Sequence, residues 1–258
     1  SLIAAPHDGV LVGLTMAMRE PWMDHFVVGP LQMRCSVVTD PATGDTVIID
    51  GGDETGRIIH WIDAFDGPGP DWTTGPKNKD SACSMPKRKV VALVNTHAHF
   101  DHSGFIPDLK ARYGVDWYLH PDDFYLQTLV QASARKYGLQ LPEPAVADQE
   151  LLPDRTYEFG SINLEVFHTP GHSLGSCSLL LRVEDGADHV FVGDVLFAGS
   201  VGRTDIPNSG GDFEMLAHSV HTHLWPLEDS TVVHTGHGPI TTIGYEKRTN
   251  PFVGEPAR

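Results

Sequence analysis

Cysteine is scarce in this chain of 258 residues: Cys35, Cys83 and Cys177 are the only three, and they form neither a CxxC pair nor an even set. That excludes a disulfide framework and fits a reduced, intracellular chain. Long apolar runs are also lacking. No stretch approaches the roughly twenty residues that a membrane-spanning helix needs. Positive charge is the third shortage, with 18 Lys and Arg against 34 Asp and Glu, so that 18 − 34 gives −16. Such a surface repels nucleic acid and anionic lipid, and neither is expected as a partner. The opening segment SLIAAPHDGVLVGLTMAMREPW has no basic start, and Pro6, His7 and Asp8 interrupt its apolar residues, so it does not read as a signal peptide. The expected compartment is the cytoplasm, or an organelle if a targeting segment preceded Ser1.

With 40% hydrophobic and 20% charged residues, the composition is that of a soluble globular protein with a substantial core. One domain spanning residues 1–258 is expected. Its main irregularity is a loop or insertion at about 67–89, where Gly, Pro, Lys and Asp dominate and Trp72 is the only large apolar residue. The one excess that bears on chemistry is histidine, with fifteen residues.

The chain is organised around VVALVNTHAHFDH, residues 90–102. Val90 to Val94 read as a strand buried on both faces, because the run is continuous and rich in β-branched residues. Directly beyond it come His97, His99, Asp101 and His102, whose imidazoles and carboxylate suit zinc, iron or manganese. Alternation sends His97, His99 and Asp101 to one side, while His102 must turn to a neighbouring point. Two metals would account for that split.

Upstream, RCSVVTD from Arg34 and TVIID from Thr46 form a hairpin about Pro41 to Gly44, and a helix carrying Ile58, Ile59, Ile62 and Phe65 comes next. Downstream, SGFIPDLKARYG is expected to be helical and VDWYLH a strand. A helix then runs from Pro121 to Gly138, with Asp122 and Asp123 at its positive end and, in its last turn, Arg135 and Lys136, expected as helix-end charges rather than substrate contacts. From Thr156 a β-rich section carries three strands to His172, Asp194 and His237. TVIIDGG and HVFVGDV resemble each other, a hint of a duplicated βα half. DFEMLAHSVHTHLWPL reads as a helix with Phe213, Leu216, Val220 and Leu224 on its core side. Its His218, His221 and His223 are expected to be helix histidines rather than ligands, and Cys177 a core residue.

Seven metal-capable side chains thus come after predicted strands in four separate loops, which points to convergent ligation rather than to chance strand capping. On these residues the chain resembles the metallo-β-lactamase superfamily. Its HxHxDH pattern is matched by His97, His99, Asp101 and His102, and TPGHS with His172, GD with Asp194 and GHGP with His237 come in the same order. The resemblance runs from about Arg34 to the end. It implies an α/β fold, a four-layer αββα sandwich with the metal site at one edge between two sheets. It further implies that His97, His99 and His172 hold one divalent cation and Asp101, His102 and His237 a second, with Asp194 bridging. Zinc is the expected metal, and iron or manganese would also suit. Two cations about 3.5 Å apart can share a water, lower its pKa and polarise an ester, thioester or lactam carbonyl. Asp101 is the candidate to orient that nucleophile and carry its proton.

Within the superfamily, His102 argues against antibiotic-degrading lactamases, His99 against flavodiiron oxygen reductases, and the lack of a basic stretch against RNA-processing members. GDVLFAGSVGRTD and GHGPITTIGYEKRTNPF look like glyoxalase II and its short relatives. The resemblance implies a small-molecule thioester or glutathione conjugate as partner, with Arg203 contacting an anionic group; pairing of Arg203 with Asp205 is the competing expectation. Only 258 − 237 = 21 residues lie beyond His237, too few for the helical C-terminal domain of glyoxalase II. Persulfide dioxygenases, also short, hold one iron through residues matching His97 or its neighbours, His172 and Asp194. A non-catalytic metal-binding protein is the third alternative. The oligomeric state is left open.

Overall fold

In the computed structural model, which describes residues 18–64 and 86–255, two six-stranded sheets pack face to face. The expectations for the N-terminal segment, Phe65, Trp72, Cys83 and the 67–85 part of the expected loop lie outside the described residues. The irregular stretch ends sooner than expected. Arg88 is already buried in an ion pair with Asp24, and Lys89 opens a strand.

Strands β1 (Trp22–Val28), β2 (Met33–Thr39) and β3 (Asp45–Ile49) form an antiparallel meander. Helix α1 (Thr55–Ala64) precedes β4 (Lys89–Val94), which lies parallel to β3. Then come α2 (Phe100–Ser103), α3 (Ile106–Tyr113), β5 (Trp117–Leu119), α4 (Phe124–Gln127), α5 (Val130–Arg135) and the edge strand β6 (Gln149–Glu150). The second sheet starts with β7 (Arg155–Phe159), β8 (Ile162–His168), β9 (Cys177–Leu181) and β10 (His189–Gly193), each antiparallel to the last. A small hairpin of β11 (Leu196–Phe197) and β12 (Ser200–Val201) leads to α6 (Phe213–Ser219) and a π-helical turn at Val220–Leu224. Strand β13 (Val232–Thr235) runs parallel to β10, and β14 (Thr241–Thr242) ends in α7 (Ile243–Thr249). The sheet orders are β1-β2-β3-β4-β5-β6 and β14-β13-β10-β9-β8-β7.

Alternation along the strands produces four layers. Val47, Ile49, Ala92 and Val94 meet Leu164, Leu179 and Phe191 between the sheets. Their neighbours Ile48 and Leu93 face outward onto Ile58 of α1 and Leu109 of α3. In the second sheet Leu180, Val190 and Val192 face outward onto Leu216 of α6 and Ile243 of α7. A central strand buried on both faces therefore reads as an unbroken apolar run, and each such side chain contributes about 1.5–3 kcal/mol. The αββα sandwich expected from the sequence is observed. The two segments that resemble each other in sequence also pair alike: β2-β3-β4 and β9-β10-β13 share an antiparallel then a parallel pairing, which gives Asp50 and Asp194 equivalent places after β3 and β10.

Two helix expectations are corrected. The segment from Pro121 is not one helix but a 3₁₀ turn succeeded by α4 and α5. The break arises at Thr128, whose hydroxyl bonds the carbonyl of Tyr125 at 2.7 Å and competes with the regular ladder. Gly138 does end the segment, at φ +75°. Phe213 is not in the core but 40% exposed. Gly171, at φ +133°, lets its loop approach the backbone of Leu216, so Leu216 makes the contact and Phe213 lies a turn beyond it. Among the described residues no helix is long and apolar enough to cross a membrane.

Candidate metal centre

The ends of β4, β8, β10 and β13 point to one edge of the sandwich, where their loops meet. Beyond β4 the backbone carries His97 and His99 and then turns into α2, which swings Asp101 and His102 round together. His172 comes from the loop after β8, Asp194 from the residue after β10, and His237 from the loop after β13. All seven residues singled out in the sequence converge. Three sets have ligand atoms within 4.8 Å of one another: His97, His99 and His172; His97, His102 and Asp194; and Asp101, His102 and His237. The Asp194 carboxylate lies 3.3 Å from His102 Nε2, 3.5 Å from His172 Nε2 and 3.5 Å from His237 Nε2. Asp101 Oδ2 stands 3.2 Å from His237 Nε2. Gly236 makes this approach feasible, since a Cβ there would sit 2.2 Å from Asp194 Oδ1.

The outer nitrogen of every imidazole is committed. His102 Nδ1 donates to Asp50 Oδ2 at 3.0 Å, His172 Nδ1 to the carbonyl of Arg203 at 2.7 Å, and His237 Nδ1 to the carbonyl of Leu31 at 3.0 Å. Ser209 Oγ donates to the carbonyl of His172 at 2.5 Å and so accepts from His99 Nε2 at 3.0 Å. Thr96 Oγ1 donates to Asp50 Oδ2 at 2.7 Å and accepts from His97 Nδ1 at 3.1 Å. Each ring therefore turns its other nitrogen to the centre, the arrangement that fixes a ligand's tautomer and orientation. Buried His97 Nε2, His102 Nε2 and Asp194 Oδ1 have no hydrogen-bond partner. Leaving such groups unsatisfied costs about 1–3 kcal/mol apiece. Nitrogen- and oxygen-donor sets of this kind fit divalent cations.

The electrostatics match. Burial and neighbouring rings push His97 well below its usual range, and burial with His172 brings His99 to about 3, so both remain neutral donors. For His237 burial pulls downward, but the Asp101 and Asp194 carboxylates hold it at about 9. Burial would raise Asp194, yet His102 and His237 keep it well below the usual carboxylate range.

Sequence reasoning misses three supporting residues. By pattern alone Asp50 is only the end of a strand, and Ser209 carries no signal at all. Asp123 reads as a partner of the helix dipole, whereas it is buried and accepts from Ala98 N at 2.9 Å, Ser173 Oγ at 2.8 Å and Gly175 N at 2.7 Å, tying the His97 loop to the His172 loop. The helix histidines stay out of the centre, as expected: His221 bonds the carbonyl of Val253 and His223 stacks on Phe167. Cys177 is buried in the core.

A cavity of about 560 Å³ opens over the cluster. Its floor is His99, Asp101, His172, Asp194 and His237, its apolar walls are Leu31, Phe100, Phe197, Ile206 and Pro207, and its polar walls are Ser133, Lys136, Tyr137 and Arg203. Arg203 pairs with Asp205 at 2.8 Å and 3.2 Å, the competing expectation for it.

Fold and cluster together define a metal-dependent hydrolase class. The chain belongs to the metallo-beta-lactamase superfamily, whose model matches residues 28–237. It is similar to hydroxyacylglutathione hydrolase GloC of Haemophilus influenzae, 34% identical over 234 residues, covering 88% of this chain and 95% of that protein. Among solved structures it is similar to BLEG-1 B3 metallo-beta-lactamase, at TM-score 0.74 and 32% identity over 90% of this chain and 99% of that one. It also resembles TTHA1623 in a di-iron-bound form, at TM-score 0.69 and 34% identity over 89% and 99%.

Proposed function

We propose that the chain is a glyoxalase II-type hydrolase that cleaves a thioester such as S-lactoylglutathione. In this reading His97, His99 and His172 hold one divalent cation, Asp101, His102 and His237 a second, and Asp194 serves both. The carrying observation is that five imidazoles, each with its outer nitrogen already bonded, turn their inner nitrogens onto two carboxylates beneath an open cavity. The similarity to GloC supports the thioester. Zinc suits the nitrogen-rich set, and the di-iron form of TTHA1623 supports iron as the competing occupant.

Two such cations supply activated water and a polarised carbonyl. The protein's own residues do the rest. Leu31, Phe100 and Phe197 bind the apolar part of the substrate and exclude bulk water from the floor. Asp101, held below the ordinary carboxylate range by His102 and His237 against its burial, stays ionised and takes the proton of the attacking water. Arg203 lines the cavity wall with its guanidinium engaged by Asp205. A persulfide dioxygenase would hold one iron through His97 or its neighbours, His172 and Asp194, and the similarity to GloC favours the hydrolase over it.

Metal counting on untreated protein, with assays on S-lactoylglutathione, glutathione persulfide and a β-lactam, tests this. The expected result is a two-metal protein that hydrolyses the thioester without oxygen. One iron per chain with oxygen uptake on the persulfide, or preference for the lactam, would overturn it.

A further inference from the structure

The segment that the sequence presents as one helix is broken at Thr128, and the break gives the cavity its second polar wall. Tyr125 of α4 donates its hydroxyl to the carbonyl of Asn208 at 2.5 Å, which ties the segment to the loop carrying Arg203. Tyr137 packs against Phe100 with ring centroids 5.2 Å apart, next to the ligand cluster. Ser133, Lys136 and Tyr137 are thereby fixed along the cavity wall at the exit of α5.

The two cations on these walls differ. Arg203 is engaged by Asp205, and an exposed pair of that kind leaves little net charge. Lys136 has no hydrogen bond or ion pair of its side chain among the described residues. In a chain of net charge −16, an exposed, uncompensated ammonium lining the cavity is a local exception to the surrounding field. A side chain there meets the part of a bound molecule farthest from the cluster, because the reacting carbonyl must sit on the floor with Asp101 and Asp194.

We infer that Lys136 is the specificity-determining residue of the cavity, with Ser133 beside it, and that it selects molecules whose thiol portion carries a free carboxylate remote from the thioester. The inference rests on the thioesterase reading for the reacting end of the substrate and adds the class of its other end. Neutral acyl thioesters would enter the same cavity without this contact.

The test separates the two claims by using a probe that cannot be hydrolysed. Binding of N-acetyl-S-hexylglutathione and of its neutral diethyl ester is measured by calorimetry on the metal-loaded protein and on its Lys136→Ala, Lys136→Glu and Lys136→Arg variants. One solvent-screened charge contact predicts about a fivefold weaker acid form in Lys136→Ala and a larger loss in Lys136→Glu. Lys136→Arg should keep the affinity, and the diester should bind all four alike. Raised salt should shrink the difference between the acid and the diester in the unsubstituted protein. Equal weakening of both probes, no weakening, or no binding of either by the unsubstituted protein would overturn the inference. If the difference holds while S-lactoylglutathione is not hydrolysed, the thioesterase reading falls and the carboxylate subsite stands. Hydrolysis with no dependence on Lys136 gives the converse.

Discussion

Asp50 accepts a hydrogen bond from Nδ1 of His102 at 3.0 Å, and the same oxygen accepts one from Thr96 at 2.7 Å. Thr96 in turn receives His97 Nδ1, so one buried carboxylate orients a histidine of each ligand set. Replacing Asp50 with Ala should weaken metal binding by about 10–100-fold, the usual effect of removing such a partner. Asp50→Asn, which keeps an acceptor oxygen, should lose less. Competition against a chromophoric chelator measures both; unchanged affinity in Asp50→Ala would show that the carboxylate serves only the fold.

Metal removal should be readable as proton exchange. In the metal-free protein burial opposes protonation of His237, but Asp101 and Asp194 hold its pKa at about 9, so the ring carries a proton at neutral pH. A cation can bind only after that proton leaves, and affinity should rise as pH climbs towards 9. Calorimetric zinc titration in buffers of different ionisation enthalpy should show proton release at pH 7. The sign for stability is opposite: the raised pKa stabilises the metal-free fold fully below about 6.5, and that contribution fades as pH passes 9. Saturating metal should raise the unfolding free energy by about 2.7 kcal/mol at a hundredfold excess over Kd.

The ligands are legible in the sequence because each sits where an apolar run ends. The run 90–94 fits only a doubly buried strand, and residues just past the end of such a strand emerge at the sheet edge. Asp50 shares that position after β3, but its role depends on β3 lying beside β4, and no local pattern states which strands pair. Asp123 and Ser209 reach the centre across 25 and 110 residues of chain to Ala98 and His99, which periodicity cannot register. The helix break at Thr128 is a single hydroxyl outcompeting the ladder, below the resolution of an apolar repeat.

A second histidine cluster should govern acid stability. His25 bonds Ser36 at 3.1 Å, His189 bonds His234 at 2.9 Å, and His234 lies between Phe191 and His25. Burial lowers His25 to about 3 and His189 to about 4. The folded protein therefore binds fewer protons than the unfolded chain below pH 6.5. The stabilising contribution is complete above 6.5 and is lost as pH falls towards 4. Urea titration of metal-free protein should give a slope of about 1.4 kcal/mol per pH unit for each such histidine between those limits. His25→Gln should flatten it by one histidine's share; an identical slope would place the acid sensitivity elsewhere.

Asp123 is the most exacting position outside the ligand set. Burial raises its pKa while the amides of Gly175 and Ala98 oppose that rise, and the three donors it receives belong to the two loops that present His97 and His172. Asp123→Ala leaves two buried amides and the Ser173 hydroxyl without this acceptor, a loss of about 3 kcal/mol or more in unfolding free energy. Stability alone would not separate this role from ordinary core packing. Gly175 packs so closely that a Cβ there would lie 2.7 Å from the Asp123 amide, so the loop has little room to settle elsewhere. Metal stoichiometry of the variant, measured well below its melting temperature, is therefore the deciding readout. Partial loss of metal, confined to the set of His97, His99 and His172, is expected, with the Asp101, His102 and His237 set still filled.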